Sequence, residues 1–152
     1  MKRRGFGLIT AIIIMVAVSV LMSLMISLTS VSLKSTTDVY LREQAELLAR
    51  SGVEYALLAI SGHDNTNSCI ENINIDYPDA TTPTHHVNMT IQYFYDNASP
   101  VLQANCNNIL DPNIATSESD MTVLIDATVT VDMGNTGITE PIVIHKRTIQ
   151  KP

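Results

Sequence analysis

No lysine or arginine occurs between residues 51 and 145, although the same interval contains twelve Asp and Glu residues. Binding to nucleic acid depends on Lys and Arg side chains that neutralise phosphates. The absence therefore argues against nucleic acid as a partner of this acidic region. The basic cluster of Lys146, Arg147 and Lys151 that follows is too small to change this expectation.

Charged side chains are also absent from residues 5–33. This stretch exceeds the roughly 20 apolar residues that span a bilayer, and it exceeds the apolar region of about 7–15 residues in a cleavable secretory signal. We therefore predict a transmembrane helix that stays with the protein. Because Lys2, Arg3 and Arg4 precede it, the positive-inside rule places the N-terminus in the cytoplasm and the C-terminal region across the membrane.

Cysteine is scarce, with Cys69 and Cys106 as the only pair. In an oxidising compartment outside the cytoplasm the two can form a disulfide. Closing a loop of that length contributes about 4 kcal/mol in the chain-entropy model. The alternative is a pair of buried free thiols, and the predicted compartment favours the disulfide.

Helix-breaking residues are few in the first third of the chain. The first proline is Pro78, and Gly52 is the only glycine between Gly7 and Gly62. We predict one helix over residues 6–60, about 80 Å long at 1.5 Å per residue. Its transmembrane half covers residues 6–33, and residues 34–60 form an amphipathic half that ends near Gly62.

Two seven-residue series predict the face of the amphipathic half that packs on a sheet. Apolar or small residues recur with 3,4 spacing, which is typical of one helix face. Small residues in this series would let the sheet approach closely. The predicted helix–sheet packing residues are Leu41, Ala45, Leu48, Gly52 and Tyr55.

Small residues also recur at four-residue spacing inside the transmembrane half. Small side chains let helices approach closely in a membrane. The predicted stem-packing residues are Gly7, Ala11, Ser19, Ser23 and Ser27.

The region from residue 61 to residue 152 is predicted to be a β-rich globular domain. Residues 61–86 indicate a connector with a short strand at 73–77. Strands are predicted at 87–95, 121–133 and 141–150, the last two joined into a hairpin by the turn at residues 134–137. The fold class is therefore α+β, with the long N-terminal helix packed on a small antiparallel sheet.

No catalytic signature is present, so we expect neither an enzyme nor a cofactor. The three histidines His63, His85 and His86 are interpreted as solvated loop residues and not as metal ligands. Residues 63–67 and 110–113 are rich in oxygen ligands but lack the spacing of a calcium-binding EF-hand loop. No metal site is predicted.

The opening RRGFGLITAIII, continued by YLREQAELLARSGVEYAL, resembles the type IV pilins and pseudopilins. The most similar groups are minor pilins of the MSHA-type biogenesis and PilX-like kinds. The resemblance covers residues 2–60 and beyond them rests on architecture. It implies a prepilin leader at residues 1–5, cleavage by a prepilin peptidase after Gly5, and N-methylation of Phe6.

One residue departs from the family pattern, since Thr10 stands where major pilins carry an assembly glutamate. A buried carboxylate without a partner is costly in a membrane. The resemblance therefore implies a minor subunit that primes or caps the filament. It also implies a bacterial inner-membrane protein with a periplasmic domain that later enters a pilus or pseudopilus.

The partners implied by the resemblance are other major and minor pilins, the prepilin peptidase and the inner-membrane assembly platform. Adhesion pili, DNA-uptake pili and type II secretion pseudopili all use such a stem, and the sequence leaves the choice among them open. The alternatives are an uncleaved single-pass anchored periplasmic module with a binding or sensory role, and a secreted enzyme. The enzyme reading lacks any chemical motif.

Overall fold

The computed structural model describes residues 4–114, 121–138 and 140–152. It divides into two units, one ending at Tyr40 and the other beginning at Leu41. The second unit takes in the C-terminal part of the long helix together with the whole sheet.

The described part of the first unit is entirely helical. Helix α1 runs over Arg4–Gly62, so the predicted helix at residues 6–60 is confirmed to within two residues at each end. Within the described residues, α1 is the one helix that is long and apolar enough to cross a membrane. Several of its hydroxyl groups donate to the backbone one turn earlier, as Ser19 Oγ does to the Met15 carbonyl (2.8 Å) and Thr29 Oγ1 does to the Met25 carbonyl (2.9 Å).

The second unit adds five strands and two short helices to the end of α1. In chain order they are β1 Asn72–Tyr77, β2 His85–Tyr95, α2 Pro100–Asn105, β3 Ile109–Asp111, β4 Met121–Val131, α3 Met133–Thr136 and β5 Val143–Gln150.

Four strands form an antiparallel sheet in the order β1-β2-β4-β5. The three-residue β3 pairs in parallel with β2, where Tyr93 lies opposite Ile109. The α+β class and the helix packed on a sheet are therefore confirmed. Strand β3 and helix α2 were not predicted, because a three-residue strand and a six-residue helix carry too little periodicity to detect.

Alternation along the two central strands separates a buried face from a polar one. The strand predicted at residues 121–133 is present as β4, and every second residue from Val123 to Val131 is buried. Strand β2 alternates in the same way and begins at His85, so the loop predicted to extend to residue 86 is too long. Both inward rows meet the buried face of α1 in one hydrophobic core.

The predicted β4–β5 hairpin is also present, with Val123 opposite Gln150 and Thr130 opposite Val143. Its connection includes the single turn of α3. Asp132 caps this turn by accepting the Asn135 N–H at 2.8 Å. Gly137 ends it with a φ of 69°, a left-handed conformation that favours glycine.

Candidate functional site

The predicted processing position lies at the start of α1. The backbone of Gly5 and Phe6 is helical, whereas residues 1–3 and the side chains of residues 4–6 lie outside the described part of the chain. Thr10, the predicted assembly position, is exposed on the same helix. The chain from Arg4 through Thr10 is thus one uninterrupted helical segment.

All five predicted stem-packing residues are exposed on the first unit, and an added Cβ at Gly7 would meet no atom within 4 Å. They do not share one face. A four-residue step advances about 40° beyond a full turn of an α-helix, so Gly7 and Ser27 point about 200° apart. Along an α-helix the series therefore winds around the axis.

The helix–sheet face of the second unit matches the prediction in part. Leu41, Ala45 and Gly52 are buried, and Leu48 is partly buried against the core. Tyr55 was predicted to pack on the sheet, but its side chain is 53% exposed, so that assignment is wrong.

Four further residues complete the buried helix face and were missed. They are Ala49, Val53, Ala56 and Ile60. The prediction used a strict seven-residue repeat of 3.5 residues per turn, whereas a straight α-helix has 3.6 and drifts by about 20° per heptad. The i, i+4 series of small and apolar residues that begins at Leu41 was the signal for Ala49 and Val53, and a step of three and then of four from Val53 leads to Ala56 and Ile60.

Gly52 lies at a close approach of the helix to strand β2. A Cβ built on Gly52 would lie 3.1 Å from the Met89 sulfur and 3.3 Å from Val87 Cγ1. Both distances are shorter than ordinary van der Waals contact. The predicted role of this glycine in bringing helix and sheet together is therefore explained by two named neighbours.

A fully buried histidine also links helix and sheet. His85 Nε2 lies 3.2 Å from the Leu41 carbonyl oxygen, and its Nδ1 lies 2.9 Å from Thr84 Oγ1. Since a carbonyl can only accept, Nε2 carries the proton of this hydrogen bond. His85 was predicted to be a solvated loop residue, and this is wrong because it points into the core while the neighbouring His86 points outward.

The predicted disulfide is present between Cys69 and Cys106, with their Cα atoms 5.5 Å apart. The chain around it is held by polar contacts, since Asn108 Nδ2 donates to the Ile91 carbonyl at 3.1 Å and the Asn107 N–H donates to Glu71. Cys69, Glu71 and Cys106 form the one group of three metal-binding residue types that lie together within the described residues. Both sulfurs are bonded to each other, so this group offers no thiolate ligand.

The outward face of the sheet forms an open polar groove of about 530 Å³ across β2, β4 and β5. On one side, Arg147 Nε donates to Asp126 Oδ2 at 3.0 Å, and His145 Nε2 contacts Asp126 Oδ1. Burial acts to raise the pKa of Asp126, but the hydrogen bond from Arg147 and the two nearby positive charges outweigh it and hold the pKa below its usual range.

On the other side of the groove, His86 lies between two carboxylates. Its Nδ1 is 2.7 Å from Asp76 Oδ1, and its Nε2 is 3.5 Å from Asp132 Oδ2. The hydrogen bond to Asp76 is the main reason that the pKa of His86 is raised. Neither cluster was predicted from the sequence, because both depend on the register of strand pairing. Strands β1 and β4 pair with β2, and β5 pairs with β4.

Comparisons of the chain with protein-family models, with curated proteins and with solved structures found no match.

Proposed function

We propose that the chain is a minor type IV pilin-like subunit, cleaved after Gly5 and incorporated through its helical stem into a pilus or secretion pseudopilus. The observation that carries this proposal is helix α1. It begins with an apolar part long enough to cross a membrane and continues to Gly62 without interruption. From Leu41 onward one face of the same helix packs on an antiparallel sheet.

The remaining features support a structural subunit that functions outside the cytoplasm. The sheet-bearing unit contains a disulfide, which persists in oxidising compartments. Assembly of such subunits needs packing surfaces and no active site, and the driving force comes from helix packing and from burial of the apolar stem. In this proposal the partners are other pilins, the prepilin peptidase and the inner-membrane assembly platform.

Processing tests the proposal directly. We would express the full chain in cells with and without a prepilin peptidase and measure the intact mass and the N-terminal peptide. The expected product begins at N-methylated Phe6. Gly5→Leu should block cleavage, whereas Gly7→Leu, which leaves both residues of the Gly5–Phe6 bond unchanged, should leave it intact. A chain that keeps residues 1–5 in competent cells would instead indicate an uncleaved membrane-anchored module.

Position in the filament is a second part of the proposal. Thr10 provides no carboxylate to pair with the N-terminal amine of a neighbour. We therefore place the subunit at the tip, where no such pairing is required. Gold labelling of isolated filaments should detect it at one end, and even labelling along the shaft would contradict this placement.

A further inference from the structure

We propose that His86 is a pH-dependent clamp at one end of the sheet. When the ring is doubly protonated it binds both Asp76 on the edge strand β1 and Asp132 just after β4, and when it is neutral it releases Asp132. The contact between β2 and the turn α3 is therefore stronger in acidic than in alkaline surroundings. The clamp lies in the second unit and does not depend on the proposed pilin function.

Strand register places His86 between the two carboxylates. The residue lies opposite Asp76 on β1 and opposite Thr130 on β4, two residues before Asp132. Its Nδ1 lies 2.7 Å from Asp76 Oδ1, and its Nε2 lies 3.5 Å from Asp132 Oδ2. One imidazole ring thus contacts an acidic side chain on each side of strand β2.

The two contacts respond differently when the ring loses a proton. A neutral imidazole carries one N–H, so it donates to one carboxylate only. The shorter distance favours Asp76 as the acceptor that remains, which leaves the lone pair of Nε2 facing Asp132. Two acceptors then face each other without a proton between them. The contact with Asp132 is therefore the one that depends on pH.

Asp132 connects the clamp to the turn between β4 and β5. Its Oδ1 accepts the backbone N–H of Asn135 and caps α3, and this hydrogen bond holds the pKa of Asp132 below its usual range. The carboxylate therefore stays ionised while His86 titrates, and a change at the histidine acts on a residue that orders the turn.

Two hydrogen bonds of the same turn do not titrate. The Asp132 N–H donates to the Thr84 carbonyl at 2.9 Å, and Asn135 Nδ2 donates to the Pro83 carbonyl at 2.8 Å. They join α3 to the loop between β1 and β2 at every pH. Loss of the histidine contact should therefore increase the mobility of the turn and leave its fold in place.

The electrostatic balance at His86 supports the clamp. The hydrogen bond to Asp76 is the main cause of the raised pKa of His86, and the contact with Asp132 adds to it, while burial acts in the opposite direction. Because this pKa is raised in the folded chain, the clamp stabilises the fold fully below the unfolded-state value of about 6.5. This contribution is lost as the pH rises through the folded-state pKa.

Other ionisable groups of the surrounding elements have different partners. His85, the next residue on β2, points into the core, and Asp79 in the β1–β2 loop accepts backbone N–H groups of its own loop. The three ionisable groups of the outward face on β4 and β5 contact one another, and they are Asp126, His145 and Arg147. Asp76 and Asp132 are therefore the charges that control His86.

The test is an NMR titration of the full chain in detergent micelles between about pH 5 and about pH 9. The ring of His86 should titrate with a midpoint above the ordinary histidine value of about 6.5. The backbone amide signal of Asn135 should shift with the same midpoint, and its order parameter should be lower at the alkaline end. A ring midpoint at or below the ordinary value, or an Asn135 order parameter that does not change with pH, would overturn the proposal.

Three variants separate the clamp from general effects of pH. Asp132→Asn removes the charge but keeps an equally good capping residue for α3, so the His86 midpoint should fall by about half a pH unit or more and the Asn135 response should disappear. His86→Gln should abolish the same response. His145→Gln is the matched control, since His145 is similarly exposed (53% against 43% for His86) and contacts Asp126 on the same face. Persistence of the response in His86→Gln or Asp132→Asn, or its loss in His145→Gln, would contradict the clamp.

Discussion

The Cβ that Gly52 lacks would lie 3.1 Å from the sulfur of Met89. Helix α1 therefore packs so closely on strand β2 at this point that a side chain at residue 52 would force its neighbours to move. The contact joins a helix position to a residue of the central strand β2.

Gly52→Val should lower the free energy of unfolding by about 1–3 kcal/mol, since overpacking a close-packed interface forces side chains and backbone to move. Urea denaturation of the full chain in micelles, followed by tyrosine fluorescence, measures this change. Ser51→Val is the control, because it introduces the same side chain at an exposed position of the same helix. Equal losses of stability in the two variants would mean that the lower helix propensity of valine, and not the contact with Met89, causes the loss.

The corrected helix face makes a second prediction. Ile60→Ala should lower the free energy of unfolding by about 2–5 kcal/mol, because Ile60 is fully buried and shortening its side chain leaves a cavity. Tyr55→Ala should change stability by no more than about 0.5 kcal/mol, since its side chain lies mostly in solvent. The same denaturation experiment compares them. A larger loss of stability for Tyr55→Ala than for Ile60→Ala would instead support the seven-residue face predicted from the sequence.

These two residues also mark where sequence reasoning reached its limit. The helix, the alternation of β4 and the β4–β5 hairpin follow from local periodicity and turn residues, so they were predictable. Tyr55 and Ile60 leave the helix at different angles around its axis. A small error in the assumed number of residues per turn therefore exchanges buried and exposed positions over several turns.

The polar clusters on the sheet could not be predicted for a different reason. Asp126 and Arg147 are 21 residues apart and meet only because β4 and β5 pair in one register. A shift of one residue would place the two side chains on opposite faces. The sequence indicated the hairpin, but it did not determine that register.

The disulfide makes a third prediction. Replacing Cys69 and Cys106 by serine should reduce the free energy of unfolding by about 2–4 kcal/mol, since the bond closes a loop of 37 residues. A reducing agent should lower the urea midpoint of the wild-type chain and leave that of the double-serine variant unchanged. If complete reduction, verified by thiol alkylation, did not change the wild-type midpoint, the bond would contribute no stability.

The Asp126–Arg147 pair makes a prediction about pH. Because the pKa of Asp126 is lowered in the folded chain, its stabilising contribution is complete above the unfolded-state pKa of about 3.9 and is lost as the pH falls through the folded-state pKa. At pH 7, Asp126→Asn should lower the free energy of unfolding by about 1 kcal/mol. The loss is small because Arg147 remains solvated after the change. The difference between wild type and variant should shrink steadily as the pH falls from about 5 to about 2. Asp96→Asn, the same replacement at an exposed position, is the control. A wild-type advantage over Asp126→Asn that persists undiminished at pH 2 would show that the aspartate acts by packing and not by its charge.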